Sequence, residues 1–219
     1  MEKIGNIFKS YTIIVYENDS IDKTSDILIK WSDKNSNVHI ITEKNVKGNR
    51  TVRLAHGRNS VLDKISKLNL NPDIYVVVDM DDKMISNYKN IYYCFDNSIN
   101  DDWVVIGGNS GGAFNFYYDY WALRTYDNWI PYDHMLFNYS NYNKYILKNT
   151  QPIKVKSCFN GIGIYKYPYI KDSRYRGSYT TEFNGKYRGR DICEHVPFHL
   201  DILEKNKDKS IYINPKLII

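Results

Sequence analysis

The chain has 219 residues, 42% of them hydrophobic, and a formal charge of +5. That length makes one domain the default and leaves room for a real core, while the modest, dispersed charge suits an anionic ligand and falls short of a nucleic-acid footprint. No stretch approaches the roughly 20 apolar residues of a membrane helix, so no membrane span is expected. Cys94, Cys158 and Cys193 are widely spaced and lack a CxxC pair. They make no disulfide framework, so a reducing, cytoplasmic compartment is expected.

In chain order, residues 12–16 are β-branched and aromatic and read as a strand. Asn18, Asp19 and Ser20 form a turn, and Thr24 is placed to cap a helix with Ile27, Leu28 and Trp31 on one face. Val38 to Thr42 is a short strand. Leu54, Ala55, Val61, Leu62, Ile65 and Leu68 repeat with a helical period until Asn71-Pro72 breaks it. Ile74 to Val78 is the next strand. This β-α-β-α-β alternation predicts an α/β fold with a mixed, mostly parallel sheet flanked by helices. The second half is less regular. Trp103 to Ile106 reads as a strand before a flexible Gly107 to Gly112 run. Pro131 to Leu147 has room for a helix, and strands surround Asn160-Gly161. Residues 173–190, with Arg174, Arg176, Arg188 and Arg190 among three glycines, read as a mobile basic loop able to order over a bound diphosphate.

Two acidic clusters end apolar strands: Glu17-Asn18-Asp19-Ser20 and Asp79-Met80-Asp81-Asp82. Ligands bind at the carboxyl ends of strands in open α/β sheets. Alternate residues of an extended segment point the same way, so Asp79 and Asp81 can converge on one cation. Hard oxygen ligands suit Mg2+ or Mn2+ carrying a diphosphate. The plain alternative is a solvated turn. Asp-x-Asp after a strand is also the nucleophile motif of haloacid-dehalogenase-like phosphatases, although Lys83 departs from it. Arg53 and Arg58, near the start of a helix, are placed to reach a diphosphate by charge-assisted hydrogen bonds; otherwise they are surface arginines.

His195 and His199 have the spacing of a zinc helix, but Pro197 disfavours a helical Val196 and no fourth ligand stands out. One of them is better used as a further ligand to the cation of Asp79 and Asp81. Glu194 is then the first general-base candidate and Asp191 the second. In Phe116 to Arg124 the aromatic rings suit either a sugar or a core. Asp119 and Trp121 are the expected ligand contacts.

ENDSIDKT, RLAHGRN and DMDD, in this order, resemble nucleotide-sugar-dependent glycosyltransferases of the GT-A fold. With DYWALR, SCFNGIGIYK and CEHVPFH, the chain resembles small glycosyltransferases of large DNA viruses, the chlorella-virus kind among them, and capsule mannosyltransferase-like proteins. The resemblance spans roughly residues 5–215. It implies one domain over 1–219, with a nucleotide-sugar-binding half at 1–82 and an acceptor-side half at 83–219. It further implies a UDP- or GDP-linked sugar as donor, a glycan or glycoprotein acceptor, and Mn2+ or Mg2+ as cofactor. Glu17 and Asn18 would lie against the base and Arg53 and Arg58 beside the phosphates. Asp79 and Asp81 would hold the metal, completed by His195 or His199. If the source is viral, the compartment would be the host cytoplasm. Only eleven residues precede Thr12, so the usual first GT-A strand is expected to be missing and activity impaired. A nucleotide- or carbohydrate-binding protein without turnover is the non-enzyme alternative.

Overall fold

The computed structural model describes residues 1–80, 88–96, 99–109, 117–127, 151–177 and 192–218. Contacts divide the chain into two compact units, Met1–Asn71 with Tyr175–Glu194, and Pro72–Arg174 with His195–Ile219. The first unit takes a second piece of chain from the C-terminal half.

The first unit contains α1 (Glu2–Gly5), β1 (Ile13–Asn18), α2 (Thr24–Lys34), β2 (Val38–Glu43) and α3 (Arg50–Lys67). β1 and β2 are parallel, with Ile13 opposite Val38 and Asn18 opposite Glu43, as a helical crossover requires. The Asn49 side chain caps α3 by accepting the Val52 N–H. Leu62 and Ile65 are buried on its inner face, and each such side chain contributes about 1.5–3 kcal/mol. α2 departs from expectation in two ways. Thr24 is its first helical residue rather than its cap; the Thr24 N–H donates to Asp22 Oδ1 at 2.9 Å. The helix also buries no residue, and Ile27 is 63% exposed.

The second unit contains β3 (Ile74–Val78), a 3-10 helix (Tyr88–Cys94), β4 (Trp103–Asn109), β5 (Ile153–Val155), β6 (Ile162–Lys166), α4 (His195–Lys205) and β7 (Ser210–Ile218). Its sheet has the order β3-β6-β4-β7-β5. β6 is antiparallel to both β3 and β4, β4 is parallel to β7, and β5 is antiparallel to β7. β3, β4 and β7 therefore share a direction, and their carboxyl ends lie at one edge beside the start of β6. This is a mixed α/β architecture, as the alternation predicts. Val104, Val105, Ile106, Ile162, Ile164, Ile211 and Ile213 are fully buried, in the apolar runs of strands covered on both faces.

Gly107, Gly108 and Asn109 are not flexible; they are the buried end of β4. A Cβ on Gly107 would sit 2.5 Å from Cys158 Sγ, and one on Gly108 would sit 2.7 Å from Ile162 Cγ2. The glycines are there because the neighbours fill that space. Pro197 does not keep Val196 out of a helix either. α4 begins at His195, so Pro197 lies in the first turn, where its missing N–H has no intrahelical acceptor to lose. The expected helix at Pro131 to Leu147 lies outside the described residues. Among the described residues no helix is long and apolar enough to cross a membrane.

Candidate functional site

β3 delivers Asp79 to the carboxyl edge of the second unit's sheet. The Asp79 N–H donates to the Gly161 carbonyl at 3.0 Å. Gly161 belongs to a turn in which Asn160 and Gly161 both have left-handed backbone, with φ of 58° and 81°. Asn tolerates that region and Gly enters it without a Cβ penalty. Asp119 fixes the turn from the other side. Its Oδ2 accepts the Asn160 N–H at 3.0 Å, and Asn160 Oδ1 accepts the Asp119 N–H at 3.2 Å. Its Oδ1 accepts the Ala122 N–H at 3.1 Å. The Gly108 N–H, at the end of β4, donates to the Phe159 carbonyl at 3.1 Å. One braced corner thus joins the ends of β3 and β4 to the start of β6, the edge where open α/β sheets hold ligands.

Asp79 is partly exposed at this corner. Asp81 and Asp82 lie outside the described residues, as does Asp191. Asp119, expected to touch a ligand, spends both carboxylate oxygens on backbone N–H groups and organises the turn. Trp121 beside it is partly exposed, and its carbonyl accepts from the buried guanidinium of Arg124 at 3.1 Å.

The histidines are core residues, 1% and 0% exposed. His195 stacks on Phe159 with ring centroids 3.8 Å apart. His199 Nδ1 lies 3.0 Å from Ser157 Oγ, and its Nε2 lies 3.0 Å from the Tyr165 hydroxyl. With both ring nitrogens facing hydroxyls, His199 is not arranged as a ligand to a cation. The same hydroxyl of Tyr165 lies 3.4 Å from His195 Nδ1. Gly163 makes room for this ring, since a Cβ there would come within 2.6 Å of Tyr165 Cε2. Among the described residues no three His, Cys, Asp or Glu side chains are grouped to hold a metal ion.

In the first unit, the acidic turn after β1 is tied up by its own side chains. Glu17 accepts from the Ser20 N–H at 2.8 Å and from Ser25 Oγ at 2.6 Å. Burial works against its charge, but the bonds from Ser20 and Ser25 outweigh it and hold the carboxyl below its ordinary value. The Asn18 side chain donates to Asp19 Oδ2 at 2.9 Å. Asp19 has a left-handed φ of 62° and accepts from the backbone N–H groups of Asn45 and Val46. These bonds tie the turn to the start of α2 and to the loop after β2.

The HGRN stretch of α3 is similarly committed. His56 Nε2 hydrogen-bonds Glu43, which also accepts from Tyr16 Oη at 3.0 Å. A Cβ on Gly57 would lie 2.6 Å from the Tyr16 ring. Arg58 forms an ion pair with Glu194 at 3.0 Å, their side chains only 10% and 2% exposed, and its guanidinium lies 5.8 Å from the Tyr175 ring centroid. The Asn59 amide clamps the backbone of Tyr175, donating to its carbonyl and accepting its N–H, both at 2.9 Å. Gly177 presses so closely on α3 that an added Cβ would lie 2.0 Å from the Thr51 carbonyl oxygen. Tyr175 to Gly177 is therefore a packed strap, where a mobile basic loop was expected; residues 178–190 lie outside the described residues. Arg53 is exposed. Glu194, expected as a base, is the buried partner of Arg58.

Sequence reasoning missed the bracing roles of Asn160, Gly161 and Tyr165. The Asn-Gly pair between two strand-like runs was the available signal.

Fold and site together define an α/β protein with a braced acidic strand end. The sequence matches the family described as Cryptococcal mannosyltransferase 1 over residues 6–194. That is most of the chain, and the chain belongs to this family. No curated protein matches it.

Proposed function

We propose that the protein is a glycosyltransferase that moves a sugar, mannose being the first candidate, from a UDP- or GDP-linked donor to a hydroxyl of a glycan or glycoprotein. Membership of a family described as a mannosyltransferase supports the reaction class. The observation that carries the location of the site is Asp79, presented at the braced edge of β3, β4 and β6.

Asp79 fits a divalent cation: it is a hard oxygen donor on a rigid backbone, followed at the alternate position by Asp81. The two histidines do not fit, because His199 has both ring nitrogens facing hydroxyls and both rings are core residues. When bound, Mn2+ or Mg2+ would supply Lewis-acid stabilisation of the departing diphosphate. Asp79 and Asp81 would hold it. Asn160 and Gly161 keep the Asp79 backbone in place, and Asp119 keeps that turn in place. Trp121 offers an aromatic surface for a sugar ring.

The test is release of nucleoside diphosphate from UDP- and GDP-linked sugars, mannose included, with manganese or magnesium and a panel of glycan acceptors. Acceptor-dependent release that stops on chelation is expected. Donor binding without release under every combination would favour a binding protein. Release of phosphate from simple phosphomonoesters would favour the phosphatase chemistry of an Asp79 nucleophile.

A further inference from the structure

Glu43, the last residue of β2, lies opposite Asn18, the last residue of β1, at the carboxyl edge of the first unit's parallel pair. Its Oε2 has two partners, Tyr16 Oη at 3.0 Å and His56 Nε2 at 2.5 Å. The bond from His56, with that from Tyr16, outweighs burial and holds the Glu43 carboxyl below its ordinary value. At neutral pH it is a carboxylate and only accepts. Burial, then the bond to Glu43, pushes the Tyr16 phenol up, so its hydroxyl keeps the proton and donates it. His56 must likewise bring its proton on Nε2. A neutral imidazole has one N–H, so Nδ1 is left with a lone pair.

The ring is held as well as oriented, since Tyr16 meets it edge-on with centroids 6.0 Å apart. Among the described residues Nδ1 has no hydrogen-bond partner, and the side chain is 48% exposed, open to a ligand. Glu43, Asp19 and Glu17 all act on Tyr16 as negative charges. Lys44 is the cation that acts on Glu17 and Asp19, and its ammonium donates to the Ser20 carbonyl at 3.2 Å. An anion would meet an acidic edge here.

We infer that Glu43 is a positioning residue that fixes His56 with Nδ1 as a hydrogen-bond acceptor, a binding point for a hydroxyl or a base N–H of a nucleoside. Such groups carry the proton that Nδ1 lacks. The diphosphodiester oxygens of a nucleotide sugar carry none, so His56 takes the uncharged part of such a ligand and not its phosphates. The choice of a nucleoside rests on the nucleotide-linked donor proposed above; the ring's tautomer does not.

Ring-nitrogen NMR of the 15N-labelled protein at about pH 8, above the ordinary imidazole range, tests it, with His56→Leu identifying the signals. The expected result is a protonated Nε2, an unprotonated Nδ1 and an Nε2–H that exchanges slowly with water. Glu43→Ala should speed that exchange about tenfold, the loss of one charge-assisted hydrogen bond. A ring protonated at Nδ1 in the parent protein overturns the inference, whatever the variants do. So does equal exchange in a folded Glu43→Ala protein. Uridine or guanosine should move the Nδ1 signal, and dimethyl phosphate, which has no proton to give, should not. His56→Leu should weaken nucleoside binding about tenfold, the size of one hydrogen bond. Indifference of Nδ1 to both nucleosides, or a response to dimethyl phosphate alone, overturns the ligand assignment. Nucleoside binding without sugar transfer would leave this inference standing and end the transferase reading, so the two fail separately.

Discussion

The acidic ends of β1 and β3 look alike in sequence, yet their described residues are held differently. After β1, the acids make the turn: Glu17 holds Ser20 and Ser25, and Asp19 holds Asn45 and Val46. At the end of β3, the Asp79 N–H is held by the Gly161 carbonyl, in a turn before β6 that Asp119 fixes through Asn160. An acid that organises its own turn is occupied by that task. Glu17 holds its own turn together, whereas the backbone of Asp79 is set by a residue distant in sequence.

The largest expected effect lies in the first unit and is structural. Arg58→Ala removes the guanidinium from the buried Glu194 carboxylate and should cost about 3–5 kcal/mol. Arg58→Met combined with Glu194→Leu should recover most of that loss. Denaturant unfolding of the single and double variants reads both. If Arg58→Ala is neutral in stability but weakens donor binding, the residue belongs to the ligand after all.

Asp79→Asn should do the reverse. Its backbone bond to Gly161 survives the change, so stability should fall by less than in Arg58→Ala. Turnover should fall on the order of 100-fold, the upper range for disturbing a metal-binding set. Steady-state rates beside thermal unfolding make the comparison, and a large stability loss with retained turnover would erase the contrast drawn between the two turns.

Asp119→Ala sits between these extremes. It strips the acceptors from the Asn160 and Ala122 N–H groups and should cost about 1–3 kcal/mol. Because Asp79 is anchored to the same turn, turnover should fall as well. Asp119→Asn, which keeps one acceptor oxygen, should lose less of both. Equal losses in the two variants would mean the carboxylate acts on ligand and not on the turn.

The smallest effect is a pH signature. Glu17 is held below its ordinary value of 4.5 in the fold. Its contribution is therefore present above pH 4.5 and is lost as pH falls through the lower folded value. Glu17→Gln should cost about 1 kcal/mol at neutral pH, and the gap to the parent should close below pH 4.5. A constant gap across that window would show that the charge of Glu17 does not stabilise its turn.

The sequence determined the alternation of the first half. Period-two and period-3.6 patterns, Asn71-Pro72 and the apolar run into Asp79 reflect local backbone preferences and the need to bury one face. β1, α2, β2, α3 and β3 accordingly fall close to where those patterns put them. Motif order likewise pointed to the family. Only the tertiary structure decided what each motif residue does. Arg58 reads as a phosphate contact until Glu194, far along the chain, is seen against it. Gly107 and Gly108 read as part of a flexible run until Cys158 and Ile162 are seen to fill the space a side chain would need. His195 and His199 read as ligands until Tyr165 and Ser157 are found on their ring nitrogens. In each case the deciding partner is distant in sequence, and a residue's chemistry is set by what it faces, which local pattern does not encode.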